Sequence, residues 1–257
     1  MSTTTSRQFR RRTTRAALTA AALGLASVLG ATTASAATPP ASPGAGPAAP
    51  AASTVPFGIA RTASGGAHDV AITIDDGPDP VWTPKVLDVL KTYGVKATFC
   101  MIGANAQRYP GLVRDVVAGG HRLCDHSVDH DMTMDKKPVA YQAQQILDAQ
   151  TMIERAAPGA DVDYYRAPGG AFTPASRQIA GEHGMRPLGW SVDPKDWSRP
   201  GTQSIVSAVE GALPSEPTVL FHDGGGNRDE TVEALRTLLP WFAQHGYAFT
   251  FPVRTTG

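Results

Sequence analysis

From Asp69 onward, short apolar runs alternate with stretches whose apolar positions recur every three or four residues. DVAITI (69–74), VKATFCMI (95–102), HRLC (121–124), VDYYRA (162–167), MRPLGWSV (185–192), PTVLFH (217–222) and YAFTFPV (247–253) read as strands. Most are rich in β-branched or aromatic residues, and turn-forming residues bound them, as buried strands require. The intervening stretches predict helices over 84–93, 110–118, 138–157, 174–183, 202–213 and 229–245. Val86, Leu87, Val89 and Leu90 give the first helix a buried face, and Val139, Ala143, Ile146, Leu147, Met152 and Ile153 do so for the longest. Pro110 opens one helix, while Gly184 and Gly246 follow the ends of two others.

Strict alternation of strand and helix predicts parallel strands joined by right-handed crossovers. An open doubly wound sheet and a closed barrel both satisfy that rule. Polar clusters follow several strands instead of flanking one crevice, and this favours a barrel, whose C-terminal mouth collects such clusters. The expected fold class is therefore α/β, a TIM-like barrel in a single domain.

The region before Asp69 differs in kind. Arg7, Arg10, Arg11, Arg12 and Arg15 precede an Ala/Leu-rich stretch from Ala16 to about Gly30, and Ala34-Ser35-Ala36 then offers a small-x-small cleavage site. Residues 1–36 read as an export signal, too short and too poor in Leu and Ile for stable membrane insertion. The arginine run resembles a twin-arginine signal, but the residues after it fit that motif poorly. Residues 37–55, all Ala, Pro, Gly, Ser, Thr and Val, read as a disordered linker without charge. Residues 56–257 are enough for one sizeable core. The expected location is extracellular or at the cell wall. Without the five signal arginines the chain carries 18 basic and 23 acidic residues, a net charge of −5. No basic run remains, which argues against a nucleic-acid partner. Cys100 and Cys124 fall in consecutive expected strands, and a cross-strand disulfide or two buried thiols both fit.

Candidate chemistry clusters at strand ends. Asp75-Asp76 closes the first strand, and adjacent carboxylates there favour a cation beside them. His126-Ser-Val-Asp-His130 follows the third, with two imidazoles four apart, the spacing of one helical face. Two His and one carboxylate make a three-ligand catalytic metal set. Arg166-Ala-Pro168-Gly169-Gly170 joins a carboxylate-binding guanidinium to a flexible turn. Asp193-Pro-Lys-Asp196-Trp197 sets acids beside a flat apolar wall, and Leu220-Phe-His222-Asp223 ends in a candidate acid–base imidazole. Singly, each is an ordinary turn or core feature; jointly, all follow strands on one expected face. Trp190 and Trp241 read as core, and His68, His121, His183 and His245 as surface or helix-end residues.

In order, TIDD (73–76), HSVDH (126–130), RAPGG (166–170), DPKDW (193–197) and LFH (220–222) resemble the motif series of the NodB-like polysaccharide deacetylases, carbohydrate esterase family 4. The resemblance runs from about Val70 to Val253. It implies a distorted (β/α)7 barrel that hydrolyses acetyl groups on sugars. It further implies that Asp76, His126 and His130 bind a divalent metal, zinc first and cobalt as a substitute. Asp75 would be the general base, kept ionised by Arg166, and His222 the general acid, with Asp196 as its partner. The Gly169 N–H after Pro168 would hold the oxyanion, and Trp197 and Leu220 would line the acetyl pocket. Two positions depart from the pattern: Ile74 replaces the usual Phe, and Gly169 stands where an aromatic is usual. The expected substrate is an acetylated polysaccharide or oligosaccharide, with N-acetylglucosamine of peptidoglycan or chitin ahead of O-acetylated xylan. A monomer is expected. Rival readings are a non-catalytic sugar-binding module, which would be expected to have lost Asp75 or a ligand, and a metallo-phosphoesterase, which would need phosphate-clamping cations not found here.

Overall fold

Short strands bury both faces, so their side chains must sort by parity. The computed structural model describes residues 55–255. The expected export signal and all but the last residue of the expected linker lie outside them. Val55, assigned to that linker, is already buried. Seven strands follow: β1 Asp69–Asp75, β2 Thr98–Met101, β3 Arg122–Asp125, β4 Val162–Tyr165, β5 Arg186–Pro187, β6 Thr218–His222 and β7 Ala248–Thr250. The helices are α1 Trp82–Thr92, α2 Gly103–Arg108, α3 Pro110–Ala118, α4 Val139–Ala156, α5 Pro174–Glu182, α6 Thr202–Glu210 and α7 Asp229–Gln244. No helix among the described residues is long and apolar enough to cross a membrane.

All strand pairings are parallel, in the order β5-β4-β3-β2-β1-β6, with β7 beside the start of β1. The sheet curls, and its ends are joined irregularly. Of the expected 185–192 strand, only Arg186–Pro187 pairs with β4. Pro187 has no N–H to extend a ladder. Beyond it the Gly189 N–H donates to Ala60 O at 2.8 Å. Val192 then bridges to Val219, and its carbonyl accepts from the Leu220 N–H at 3.0 Å. The result is the distorted barrel expected, closed by bridges instead of a regular strand.

Parity explains what faces where. Val70, Ile72 and Ile74, Phe99 and Met101, Leu123, Tyr165, and Val219 and Phe221 belong to the main apolar core under the helices. Cys100, Cys124, Tyr164 and Leu188 form a separate small cluster with Ala60, inside the barrel. Adding two to inward positions keeps the same face. Thr73 leads to Asp75, Cys124 to His126, Tyr164 to Arg166 and Leu220 to His222. The inner face thus turns polar at the C-terminal mouth.

Helix α2 has no counterpart in the sequence reading. At six residues it is shorter than the window in which a helical period can be recognised. Its stability is non-local: the Gly103 and Ala104 N–H groups donate to Ser127 O and Val128 O at 2.9 and 3.0 Å. The helix start thereby holds the loop that follows β3.

Cys100 and Cys124 are register partners on β2 and β3 and form a disulfide. Replacing both by alanine should lower unfolding stability by about 2–4 kcal/mol. A urea titration checks this; an unchanged midpoint would show that the cross-link contributes nothing.

Candidate active site

Arg166 organises the mouth from below. It is fully buried, and its donors are committed: Nε to Leu188 O at 3.0 Å, Nη2 to Gly189 O at 3.0 Å, and Nη1 to Thr73 Oγ1 at 3.0 Å and Asp75 Oδ1 at 2.5 Å. Asp75 is buried too, and burial pushes its carboxyl pKa up, while Arg166 and then His222 pull it down. Arg166 acts in the expected direction, but burial outweighs it.

Asp76 follows in a left-handed conformation, φ 75°. Its N–H donates to Cys100 O at 3.2 Å, and its carbonyl accepts from Asn105 Nδ2 at 3.0 Å. Gly224 packs against it so closely that a Cβ there would stand 2.3 Å from Asp76 O.

The two imidazoles meet, but not on a helical turn as their spacing suggested. Residues 126–130 form an irregular bend, with Ser127 and His130 left-handed at φ 66° and 57°. The Ser127 N–H donates to Asp125 Oδ1 at 2.7 Å, the His130 N–H to Ser127 Oγ at 3.1 Å, and the Val128 N–H to Gln145 Oε1 at 3.0 Å. His126 Nδ1 donates to Arg166 O at 2.8 Å, which leaves the Nε2 lone pair facing the carboxylates. That Nε2 lies 3.5 Å from Asp75 Oδ2 and 3.6 Å from Asp76 Oδ1. His130 Nε2 lies 3.5 Å from Asp76 Oδ1. Burial drives the His126 pKa down to about 3, so the ring is neutral at physiological pH.

The donor atoms of Asp76, His126 and His130 lie within 4.8 Å of one another and form a possible metal site. Asp76 Oδ1 is buried without a hydrogen-bond partner. A buried carboxylate oxygen left unpaired between two imidazoles fits a divalent cation and little else.

Beside this cluster stands His222, the register partner of Asp75 across β1 and β6. Its Nδ1 donates to Asp196 Oδ1 at 2.7 Å, its backbone N–H to Asp196 Oδ2 at 2.9 Å, and Thr231 Oγ1 donates to the same Oδ2 at 2.8 Å. Burial alone would lower the His222 pKa. The Asp196 hydrogen bond and charge, with Asp75 and Asp76, outweigh it and raise the pKa to about 9.

Asp75, Asp76, His126, His130 and His222 line one cleft of about 440 Å³, together with Gly169, Trp197 and Leu220, whereas Arg166 and Asp196 are buried and do not line it. Pro168 is buried and does not line it. Sequence reasoning missed three lining residues. Trp190, read as core, is half-buried and faces the cleft, with the Arg166 guanidinium 5.5 Å from its ring centre. Met132 is exposed on the rim. Arg228 is buried and donates to Gly224 O, Gly225 O and Trp197 O at 2.6, 3.1 and 3.2 Å, tying two loops together. Only its position after a Gly-rich run could have marked it.

With the geometry established, comparison with known proteins is decisive. Residues 62–188 match the polysaccharide deacetylase family model. A peptidoglycan-N-acetylglucosamine deacetylase of Bacillus cereus is 40% identical over 182 residues, covering 70% of this chain and 84% of that protein. The chain belongs to the polysaccharide deacetylase family. A chitooligosaccharide deacetylase of Sinorhizobium fredii is 40% identical over 194 residues, covering 71% of this chain and 89% of the relative. A crystal structure of a peptidoglycan N-acetylglucosamine deacetylase superposes with a TM-score of 0.71 at 30% identity, covering 75% of this chain and 90% of that one. This polysaccharide deacetylase is accordingly a hydrolase of carbon–nitrogen bonds other than peptide bonds.

The His222–Asp196 pair of the deacetylase yields a pH prediction. His222 titrates above its ordinary 6.5 in the folded chain, at about 9. The stability it contributes is therefore complete below about pH 6.5 and fades as pH rises through about 9. Asp196→Asn removes the contacts that raise it, so an NMR titration of the ring should give a pKa well below that of the native protein. An unchanged titration would mean that Asp196 does not set the charge of His222.

Proposed function

We propose that the chain removes acetyl groups from N-acetylglucosamine residues of a peptidoglycan or chitin-type glycan, as a monomer, outside the cell or at the cell wall. One observation carries this reading: Asp75 and His222 stand side by side on paired strands, each with a charged partner, against the Asp76–His126–His130 cluster. The names of the Bacillus cereus and Sinorhizobium fredii relatives support N-acetylglucosamine glycans as the substrate. The basic, then apolar, N-terminal sequence supports export. Retention of Asp75 and all three donors argues against a merely sugar-binding role.

A divalent ion held by Asp76, His126 and His130, zinc or in its stead cobalt, would polarise the acetyl carbonyl and acidify the attacking water. Asp75 accepts the proton of that water. Its Oδ1 is fixed by Arg166, so Oδ2 is the free base, and burial strengthens it by raising its pKa. As the carbonyl oxygen gains charge, the Gly169 N–H at the cleft wall donates to it; such a donor is typically worth about 2.7–4 kcal/mol. Pro168, buried and directly before Gly169, restrains the backbone that carries that N–H. His222, protonated and held at Nδ1 by Asp196, gives its Nε2 proton to the departing nitrogen. The carbon–nitrogen bond breaks, and acetate and a free amino sugar result. Trp197 and Leu220 wall the acetyl methyl and keep bulk water away.

Asp75→Asn should abolish turnover while metal content stays unchanged, and His222→Ala should lower kcat by about 10²–10⁴-fold. Chelation should remove activity, and added Zn²⁺ or Co²⁺ should restore it. Acetate release, measured in parallel on peptidoglycan, chitooligosaccharides and acetylxylan, is expected from the first two. Release from acetylxylan alone would replace this reading with an O-acetyl esterase.

A further inference from the structure

A second hollow, of about 170 Å³, adjoins the active cleft and is lined by Arg61, Gly169, Gly170, Phe172, Gly189 and Trp190. Gly169, Gly170 and Trp190 belong to both hollows, so the two share one wall. That wall is low because it is built of glycine. Gly170 lies so close to Trp190 that a Cβ would stand 2.6 Å from the indole, and a Cβ on Gly169 would stand 2.7 Å from Met132 Cε. Any side chain at these positions would have to displace Trp190 or Met132. A sugar ring seated in the cleft can therefore extend a substituent across the Gly169–Gly170 backbone.

What it meets there is Arg61. The Arg61 side chain lies over Gly189, whose Cβ would approach its Cγ and Nε to 3.2 and 3.3 Å. Its guanidinium has no hydrogen-bond or ion-pair partner among the described residues. The two arginines nearest the cleft chemistry are in the opposite condition. Arg166 is spent on Asp75, Thr73 and two carbonyls, and Arg228 on three carbonyls. Asp75, Asp76 and Asp193 line the cleft itself, and residues 37–257 carry a net charge of −5. An acidic ligand is repelled by that surface unless a free cation receives it, and Arg61 is such a cation at the cleft's edge. The hollow, about 170 Å³, has the liquid volume of roughly six waters and so has room for a substituent of a few heavy atoms.

We propose that this hollow is a subsite for a carboxylate borne by the sugar next to the one that loses its acetyl group. Arg61 pairs with the carboxylate, and Trp190 and Phe172 flank its carbon skeleton. The inference rests on the deacetylase reading of the cleft and narrows its substrate class. The favoured glycan alternates N-acetylglucosamine with a sugar carrying an acidic ether, or a peptide attached through it, as peptidoglycan does; an unsubstituted chitin-type chain leaves Arg61 unpaired.

The test compares three tetrasaccharides on the metal-loaded full chain: chitotetraose, the peptide-free peptidoglycan repeat with free lactyl carboxylates, and the same repeat bearing stem peptides. KM is taken from acetate release, and Kd from calorimetry on the Asp75→Asn background, where turnover is stopped. R61Q should raise KM and Kd about three- to tenfold for at least one acidic ligand and leave chitotetraose unchanged. R61K should recover most of the loss, and added salt should shrink it. Whichever acidic ligand responds identifies the lactyl or the peptide carboxylate as the bound group. Equal effects on all three ligands, or none on any, overturn the subsite. If no ligand releases acetate, the deacetylase reading fails, while the Kd comparison still decides whether Arg61 receives a carboxylate.

Discussion

The buried pair of Arg166 and Asp75 is the constraint on which the mouth of the barrel depends. Arg166 is cut off from water and Asp75 meets it only at the floor of the cleft, so each charge requires the other, and removing one partner of such a pair typically costs about 3–5 kcal/mol. The guanidinium also spans β4, the segment after β5 and β1, holding Leu188, Gly189 and Thr73 in one plane of contacts. Its own carbonyl receives His126. One side chain and one peptide oxygen thus fix the Asp75 carboxylate, the His126 imidazole and the irregular closure of the sheet.

The same burial acts in opposite directions on Asp75 and His222. Asp75 and His222 are register partners, and both titrate above their ordinary values, for different reasons. Desolvation raises Asp75, whereas Asp196, followed by the paired carboxylates, raises His222 against desolvation. A carboxylate made more basic and a protonated imidazole are held one strand apart at neutral pH. That pairing suits the acid–base roles proposed for them.

Much of this was legible in the chain because it is local. Strand after strand ends in a polar residue two positions beyond an inward one, and that parity is written in TIDD, LCDH, YYRA and LFH. What the sequence concealed was non-local or conformational. The spacing of His126 and His130 suggested a helical turn, yet left-handed Ser127 and His130 bring the rings together instead. The short α2 exists because carbonyls of the β3 loop accept from its first N–H groups, a partnership invisible in six residues. Trp190 read as core within the expected 185–192 strand, but the chain leaves the ladder after Pro187 and its ring lines the cleft. Met132 and Arg228 enter the site through loops whose course no periodicity records.

The cross-link between Cys100 and Cys124 lies directly beneath the donor cluster. Cys100 O accepts the Asp76 N–H, and Cys124 stands two residues before His126. A sulfur–sulfur bond forms only where thiols are being oxidised. In a reducing milieu, β2 and β3 hold their register without that covalent link, so the fixity of these two strands follows the redox state around the chain. The firmness of the floor beneath that cluster is thereby set by the oxidation state of two sulfurs.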